Sequence, residues 1–98
     1  MSYHRPIKFE LGLLTVSPLA LQALTDLGAD LIHLLKRHRE GDYGASTGYQ
    51  EILANEERIK RQSGWVRSRY KLRRGSFLEV VTWLDMKETK VLLEGELP

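Results

Sequence analysis

Residues 65–93 read WVRSRYKLRRGSFLEVVTWLDMKETKVLL, and this stretch decides the fold class. Over residues 65–72, mostly charged side chains alternate with apolar, aromatic or small ones, which is the period-2 pattern of a strand with one face in water. Residues 77–84 are β-branched and aromatic with Glu79 as their only charge, which predicts the central and most buried strand. The short link at residues 73–76 predicts a hairpin between these two strands.

Two further strands are expected at the ends of the chain. Residues 85–88 read as a turn, and residues 89–93 then predict the last strand of a three-stranded antiparallel meander. Near the N-terminus, every second residue is a large apolar one, so residues 7–14 are predicted to form the first strand.

Three helices are expected between the first strand and the meander. Ser17-Pro18 is typical of an N-cap followed by the first helical residue, and Gly28 is placed to end that helix. Asp30 can cap a second helix that has His38 in its last turn. Residues 49–60 predict the third helix, although few large apolar residues mark its face.

The whole-chain composition is that of a small globular protein. The 98 residues are 42% apolar and 29% charged. Because the helices and most of the strands occupy separate runs of sequence, residues 1–98 are predicted to form a single α+β domain around one mixed or antiparallel sheet.

Several classes of protein are excluded or disfavoured by the same composition. The chain has no Cys, which rules out disulfides, thiolate catalysis and Cys-ligated zinc. No apolar run approaches the roughly 18 residues of a membrane helix, and the polar start, residues 1–8, lacks the apolar core of a signal peptide. We therefore expect a soluble, cytoplasmic protein.

Charge is distributed unevenly along the chain. Residues 56–74 hold eight basic and two acidic residues, although the net charge of the whole chain is only +2. Alternation places Arg67, Arg69 and Lys71 on one face of the predicted strand, beside Trp65. Such a face could hold phosphates or an acidic protein surface, or it could simply be a solvated sheet face whose arginines pair with Glu79. The candidate partner-binding residues are Arg58, Arg61, Trp65, Arg67, Arg69, Lys71, Arg73 and Arg74.

A second candidate site is the glycine-rich loop after the second helix. It contains His38, Gly41, Asp42, Tyr43 and Gly44, and it runs on to residue 48. A histidine, an acid and an aromatic residue on a loop could bind a partner or transfer a proton. In the simpler interpretation, the glycine at 41 adopts a positive φ, the aspartate braces the turn and the tyrosine packs on the core.

These residues also carry a family resemblance. The loop Arg37-His38-Arg39-Glu40-Gly41-Asp42-Tyr43-Gly44, Asn55, the strand motif Ser68-Arg69-Tyr70 and Thr89-Lys90-Val91-Leu92-Leu93 resemble the motifs of a group of small proteins carried by plasmids, phages and other mobile elements. The resemblance covers roughly residues 9–94. This chain departs from the group in the turn 84–87 and in its C-terminal residues.

The resemblance implies a setting and not an established activity. Accessory proteins of mobile elements often inhibit host defence, as anti-CRISPR and antirestriction proteins do. Under this resemblance, the expected partner is a host defence protein or ribonucleoprotein complex.

Neither catalysis nor a metal site is indicated. No nucleophile motif, phosphate loop or HExxH sequence occurs, and Glu56 and Glu57 point about 100° apart on a helix. His33 and His38 do not share a helix face, and the second of them with Asp42 supplies only two ligands. We therefore predict neither enzymatic activity nor a cofactor.

Two hypotheses of function remain. The first is a stoichiometric inhibitor that binds a host defence complex such as a CRISPR effector or a restriction enzyme. The alternative is a nucleic-acid-binding accessory or regulatory protein that uses the basic face. Neither hypothesis specifies the oligomeric state, and a homodimer is compatible with both.

Overall fold

The computed structural model describes residues 6–45 and 48–96, and for Arg74 it describes the backbone alone. Predictions about the polar start of the chain, about loop residues 46 and 47 and about residues 97 and 98 therefore fall wholly or partly outside the described residues. The described elements are β1 Leu13–Val16, α1 Pro18–Leu27, α2 Leu31–Arg39, α3 Tyr49–Arg61, β2 Trp65–Lys71, a 3₁₀ turn Arg73–Gly75, β3 Phe77–Trp83 and β4 Glu88–Leu93. The predicted α+β class is confirmed.

The four strands form one mixed sheet in the order β1-β4-β3-β2. Strands β2, β3 and β4 pair antiparallel with their neighbours in sequence, which confirms the meander. β1 lies parallel to β4, with Leu14 beside Thr89 and Val16 beside Val91. The sheet therefore has two edges, formed by β2 on one side and β1 on the other.

The predicted position of the first strand is wrong, because β1 spans Leu13–Val16 and not residues 7–14. Upstream of β1, the N–H of Lys8 donates to the C=O of Arg39 at the end of α2, so the start of this segment bonds to the helix end and not to a strand. Gly12 then turns the chain at φ +67°, where an added Cβ would lie 1.9 Å from the backbone oxygen of Lys87. The apolar alternation before β1 thus does not mark a strand: Phe9 is buried, whereas Ile7 is exposed.

The helix boundaries follow the predicted capping signals. The Ser17 Oγ accepts a hydrogen bond from the N–H of Ala20 at 3.0 Å, and Gly28 ends α1 in the left-handed conformation. The Asp30 carboxylate accepts from the N–H of His33 at 3.3 Å and begins α2. Local sequence chemistry therefore sets where the first two helices start.

The core lies between the helices and one face of the sheet. Buried residues of α1 and α2, such as Leu24 and Leu35, pack against Tyr70, Leu78 and Val80 on that face. A smaller cluster joins α3 to Val66 of β2. The helices thus cover the inner face of the sheet, and their apolar packing leaves the opposite face, here termed the outer face, to solvent.

Candidate binding face

The outer face is built from alternate residues of the strands. On β2, the side chains of Val66, Ser68 and Tyr70 are buried, whereas the intervening ones point outward. The shared face predicted for the basic residues is therefore observed, and pairing register sets β3 residues beside them. The outer face consists of Trp65, Arg67, Arg69 and Lys71 on β2, Phe77, Glu79, Val81 and Trp83 on β3, Glu88, Lys90 and Leu92 on β4, and Leu13 and Thr15 on β1 at its far edge.

Most cations of this face are already engaged within the protein. Arg67 forms an ion pair with Glu79, whose side chain is 12% exposed against 51% for the arginine. Arg69 pairs with Glu94, and its guanidinium also stacks on the Phe77 ring at 4.0 Å from the centroid. The expected pairing of Glu79 with the arginines is thus confirmed, and the face is electrostatically mixed.

Trp65 is held at the rim of the outer face by a residue of α3. The Arg58 guanidinium lies 4.4 Å from the centroid of the Trp65 ring, and its Nη1 donates to the Trp65 C=O at 3.2 Å. The tryptophan nevertheless remains 45% exposed. A large aromatic ring that is exposed and fixed in orientation can contact a partner with little loss of conformational entropy.

A groove crosses the outer face. It has a volume of about 400 Å³, an apolar floor of Val81 and Leu92, and the indoles of Trp65 and Trp83 among its lining. Both floor residues are buried even though they point away from the core, because long side chains from neighbouring strands surround them. A concave apolar floor with aromatic and charged walls is the form expected of a recognition surface.

A second hollow adjoins the groove between α3 and β2. Its volume is about 320 Å³, and Trp65 and Arg67 line both depressions. Arg58, Arg69 and Glu51 also line the hollow. The two depressions therefore form one continuous surface around the start of β2.

Trp83 belongs to the strand that was predicted to be the most buried, yet it lies outside the core. It is half-buried on the outer face, directly opposite Trp65, with the Lys90 ammonium 5.5 Å from its ring centroid. The apolar character of β3 concealed this position, since a strand that is apolar on both sides gives no sign of which side faces the helices.

The remaining predicted binding residues do not all join this surface. Arg61 is exposed on α3 and pairs with Glu57 at 3.9 Å, and it lines neither depression. Arg73 is exposed in the 3₁₀ turn beyond β2. The side chain of Arg74 lies outside the described part of the structure.

His38, predicted as part of the loop site, is instead a core residue. Its Nδ1 lies 2.6 Å from the Ser68 Oγ and its Nε2 lies 2.9 Å from the Thr82 Oγ1, and all three residues are fully buried. The Thr82 Oγ1 in turn lies 2.7 Å from the Thr89 Oγ1, and the Thr89 hydroxyl donates to the Leu11 C=O at 2.6 Å. This buried chain of hydrogen bonds runs from β2 across the sheet to the segment before β1.

The last donor in this chain determines the tautomer of the histidine. Because the Thr89 hydroxyl proton is given to a carbonyl, Thr82 must donate to Thr89 and accept from His38. The imidazole therefore carries its proton on Nε2, and Ser68 donates to Nδ1. Burial lowers the pKa of His38 to about 3, so the ring is neutral at physiological pH.

The other loop residues brace the turn, as the simpler interpretation predicted. The Arg37 Nε donates to the Asp42 carboxylate at 2.7 Å, and the same carboxylate accepts from the N–H of Gly44. Gly41 has φ +89°. Tyr43 is buried and donates to the Glu56 carboxylate at 3.2 Å; burial and that carboxylate raise the pKa of the tyrosine.

The outward edge of β2 is closed by side-chain and backbone partners. The Asn55 side chain donates to the Arg67 C=O at 3.1 Å and accepts from the Arg67 N–H at 3.4 Å, as a neighbouring strand would. The N–H of Arg69 donates to the Tyr43 C=O, and the Arg69 C=O accepts from the N–H of Ala45. The role of this asparagine could not be inferred from sequence, since nothing in a helical pattern indicates a contact to a strand 12 residues later.

The described residues contain no group of three or more His, Asp or Glu side chains placed to hold a metal ion. No helix among them is long and apolar enough to cross a membrane. Ser17 and Ser68 act as a helix cap and a partner of the buried histidine, respectively. Comparison with protein-family models, with curated proteins and with solved structures yields no match.

Proposed function

We propose that this protein is a non-catalytic binding protein that docks on a partner protein through its outer face. The observation that supports this most directly is the groove with the floor of Val81 and Leu92 between two tryptophans. Aromatic rings beside arginines, around an apolar centre, are the composition enriched at the centres of protein interfaces.

The electrostatics of the face favour a protein over a nucleic acid. Glu79 and Glu94 lie among the arginines and pair with them, so a phosphate backbone would meet carboxylates as well as cations. Lys71 is exposed and makes no ion pair with the described residues. A mixed surface of this kind is suited to a partner that offers both acidic and basic groups.

The resemblance to proteins of plasmids and phages suggests what kind of partner this is. A small accessory protein of a mobile element that binds without catalysis can act as a stoichiometric inhibitor of a host defence complex, such as a CRISPR effector or a restriction enzyme. It would then act in the cytoplasm of a bacterial host.

Affinity capture with matched variants tests the proposal. Tagged wild-type protein, a Trp65→Ala/Arg69→Gln variant and a Tyr49→Ala/Lys60→Gln control would be incubated with nuclease-treated bacterial lysate. The control removes one exposed aromatic ring and one exposed cation from α3, outside both depressions. Thermal unfolding first verifies that all three proteins are folded. A protein complex retained by wild type and control but lost by the face variant supports the proposal, whereas equal retention by all three rejects it.

One observation favours nucleic acid as the alternative ligand. In the 320 Å³ hollow, Arg58, Arg67 and Arg69 surround an exposed indole, a combination that can hold a phosphate beside a stacked base. Binding of an oligonucleotide that weakens steeply with salt and is lost in Arg58→Gln would support this alternative. Binding that is insensitive to salt would count against it.

A further inference from the structure

Among the described residues, no strand or loop pairs with the second edge of the sheet, which is formed by β1 and is here termed the β1 edge. Leu13 is 70% exposed and Leu14 is 41% exposed, and they point to opposite faces of the sheet. The strand Leu13–Val16 carries no charged residue. Proteins that remain monomeric commonly protect such an edge with lysine, proline or an inward-pointing charge, and β1 has none of these.

The backbone groups that face outward from this edge can be identified. The N–H of Leu13 donates to the Lys87 C=O and the N–H of Ser17 donates to the Val91 C=O, so odd-numbered residues of this segment bond to β4. Successive backbone groups of a strand point in opposite directions. The N–H and C=O of Leu14 and Val16 therefore point away from the sheet, and neither residue has a backbone partner on that side among the described residues.

We propose that two copies of this chain associate through antiparallel pairing of their β1 strands, giving a continuous eight-stranded sheet. A second copy is the favoured occupant because the edge is uncharged and apolar on both faces, so two identical edges meet without repulsion. The β2 edge of each copy is closed by Asn55, Tyr43 and Ala45, which leaves β1 as the edge available to pair. Pairing of like with like about a two-fold axis stops at the dimer.

The hydrogen-bonding groups select one register. When Thr15 faces Thr15 of the second copy, Leu14 and Val16 of each copy face Val16 and Leu14 of the other, and four backbone hydrogen bonds form. If Leu14 faced Leu14 of the second copy, Gly12 would have to pair with Val16 of that copy, but Gly12 lies outside the strand with φ +67°. If Val16 faced Val16 of the second copy, Pro18 would have to pair with Leu14 of that copy, but proline has no N–H to donate.

The dimer is expected to be weak. Four residues per copy form an interface smaller than the roughly 1,200 Å² of standard complexes, so association that depends on protein concentration is expected. Sedimentation equilibrium of the wild-type chain should show the average mass rising from one chain towards two with concentration. A single-chain mass up to near-millimolar concentration would overturn the proposal.

The absence of cysteine from the chain allows a test of the register. Thr15→Cys places two thiols in a non-hydrogen-bonded antiparallel pair, where the Cα atoms lie about 4.5 Å apart and a disulfide can form. Leu13→Cys exposes a thiol on the same face, but the two thiols of a dimer would stand roughly 13 Å apart along the strand. Air oxidation should cross-link Thr15→Cys at least about tenfold faster than Leu13→Cys.

Each further outcome bears on the proposal. Equal cross-linking of the two variants, or faster cross-linking of Leu13→Cys, would overturn it.

Leu14→Pro removes an outward N–H that β4 does not use, a substitution that edge strands tolerate. This variant should sediment as a single chain with the thermal stability of wild type, and a dimer that persists in it would show that association uses another surface.

Discussion

The two edges of the sheet differ in whether their outward backbone groups have hydrogen-bond partners among the described residues. Along β2, the Trp65 C=O is bound by Arg58, and the N–H and C=O groups of Arg67 and Arg69 are all bound by α3 or by the loop before it. Along β1, the outward groups have no partner among the described residues, and the side chains are exposed leucines. The closed edge belongs to the strand that carries the binding face, so that face stays clear of self-pairing, whereas the open edge lies three strands away.

The largest expected effect concerns the buried chain that joins the two sides of the sheet through His38. Because the folded pKa is about 3 and the unfolded value is near 6.5, the neutral ring stabilises the fold fully above pH 6.5. That stability is lost as pH falls towards 3, since the unfolded chain binds a proton that the folded chain rejects; the loss is roughly 3 kcal/mol at pH 4.

Urea unfolding between pH 7 and pH 4 measures this loss. His38→Gln should lower stability at pH 7 and flatten the dependence on pH. His33→Gln, which removes an exposed histidine from the same helix, should leave the pH profile of wild type unchanged. A His38→Gln variant with the wild-type pH slope would contradict the assignment of that slope to the buried ring.

The second-largest effect on stability is expected when the β2 edge loses a side-chain partner. Asn55→Ala leaves the N–H and C=O of Arg67 without their partners, which should reduce the free energy of unfolding by about 2 kcal/mol. The control is Gln50→Ala, an exposed change on the same helix that should cost less than about 0.5 kcal/mol. Chemical denaturation measures the free energy of unfolding of both variants. Equal values would mean that Asn55 does not stabilise the β2 edge.

A smaller effect separates the two ion pairs of the outer face. Glu79→Gln should cost about 1 kcal/mol, because the carboxylate is largely buried beneath Arg67. Glu94→Gln breaks the more exposed pair with Arg69 and should cost less than about 0.5 kcal/mol, since solvent screens that pair. Thermal unfolding of the two variants compares them directly, and the reverse order would contradict the burial assigned to Glu79.

The smallest effect is expected at the β1 edge. Thr15→Lys adds a charge to an exposed side chain of this strand and should change the stability of the monomer by less than about 0.5 kcal/mol. Denaturation at low protein concentration provides the measurement. A loss above about 1 kcal/mol would indicate that the Thr15 side chain packs within its own chain and would contradict its exposure on this strand.

Local signals in the sequence account for much of the fold. Ser17, Gly28 and Asp30 act at the helix ends through groups within a few residues of themselves, and their roles were predicted. The meander was predicted because its strands follow one another through short links. The first strand was misplaced because the hydrogen bond between Lys8 and Arg39 depends on residues distant in sequence.

The candidate site was predicted only on the side where polarity alternates. On β2, arginines alternate with buried residues, so the outward side was evident. On β3, both sides are apolar, and Val81 and Trp83 could not be assigned to the outer face. Asn55 was noticed through the resemblance alone, because its contact with β2 arises from the packing of α3 and from no local pattern.

The central claim is that the outer face is the surface that binds a partner. The chain contains two tryptophans, and both lie on this face. Fluorine NMR of protein labelled with 5-fluorotryptophan therefore places both probes beside the groove, and the captured partner can be titrated into it. Both resonances should shift or broaden as the complex forms, whereas two unchanged resonances in a complex of demonstrated stoichiometry would contradict the claim.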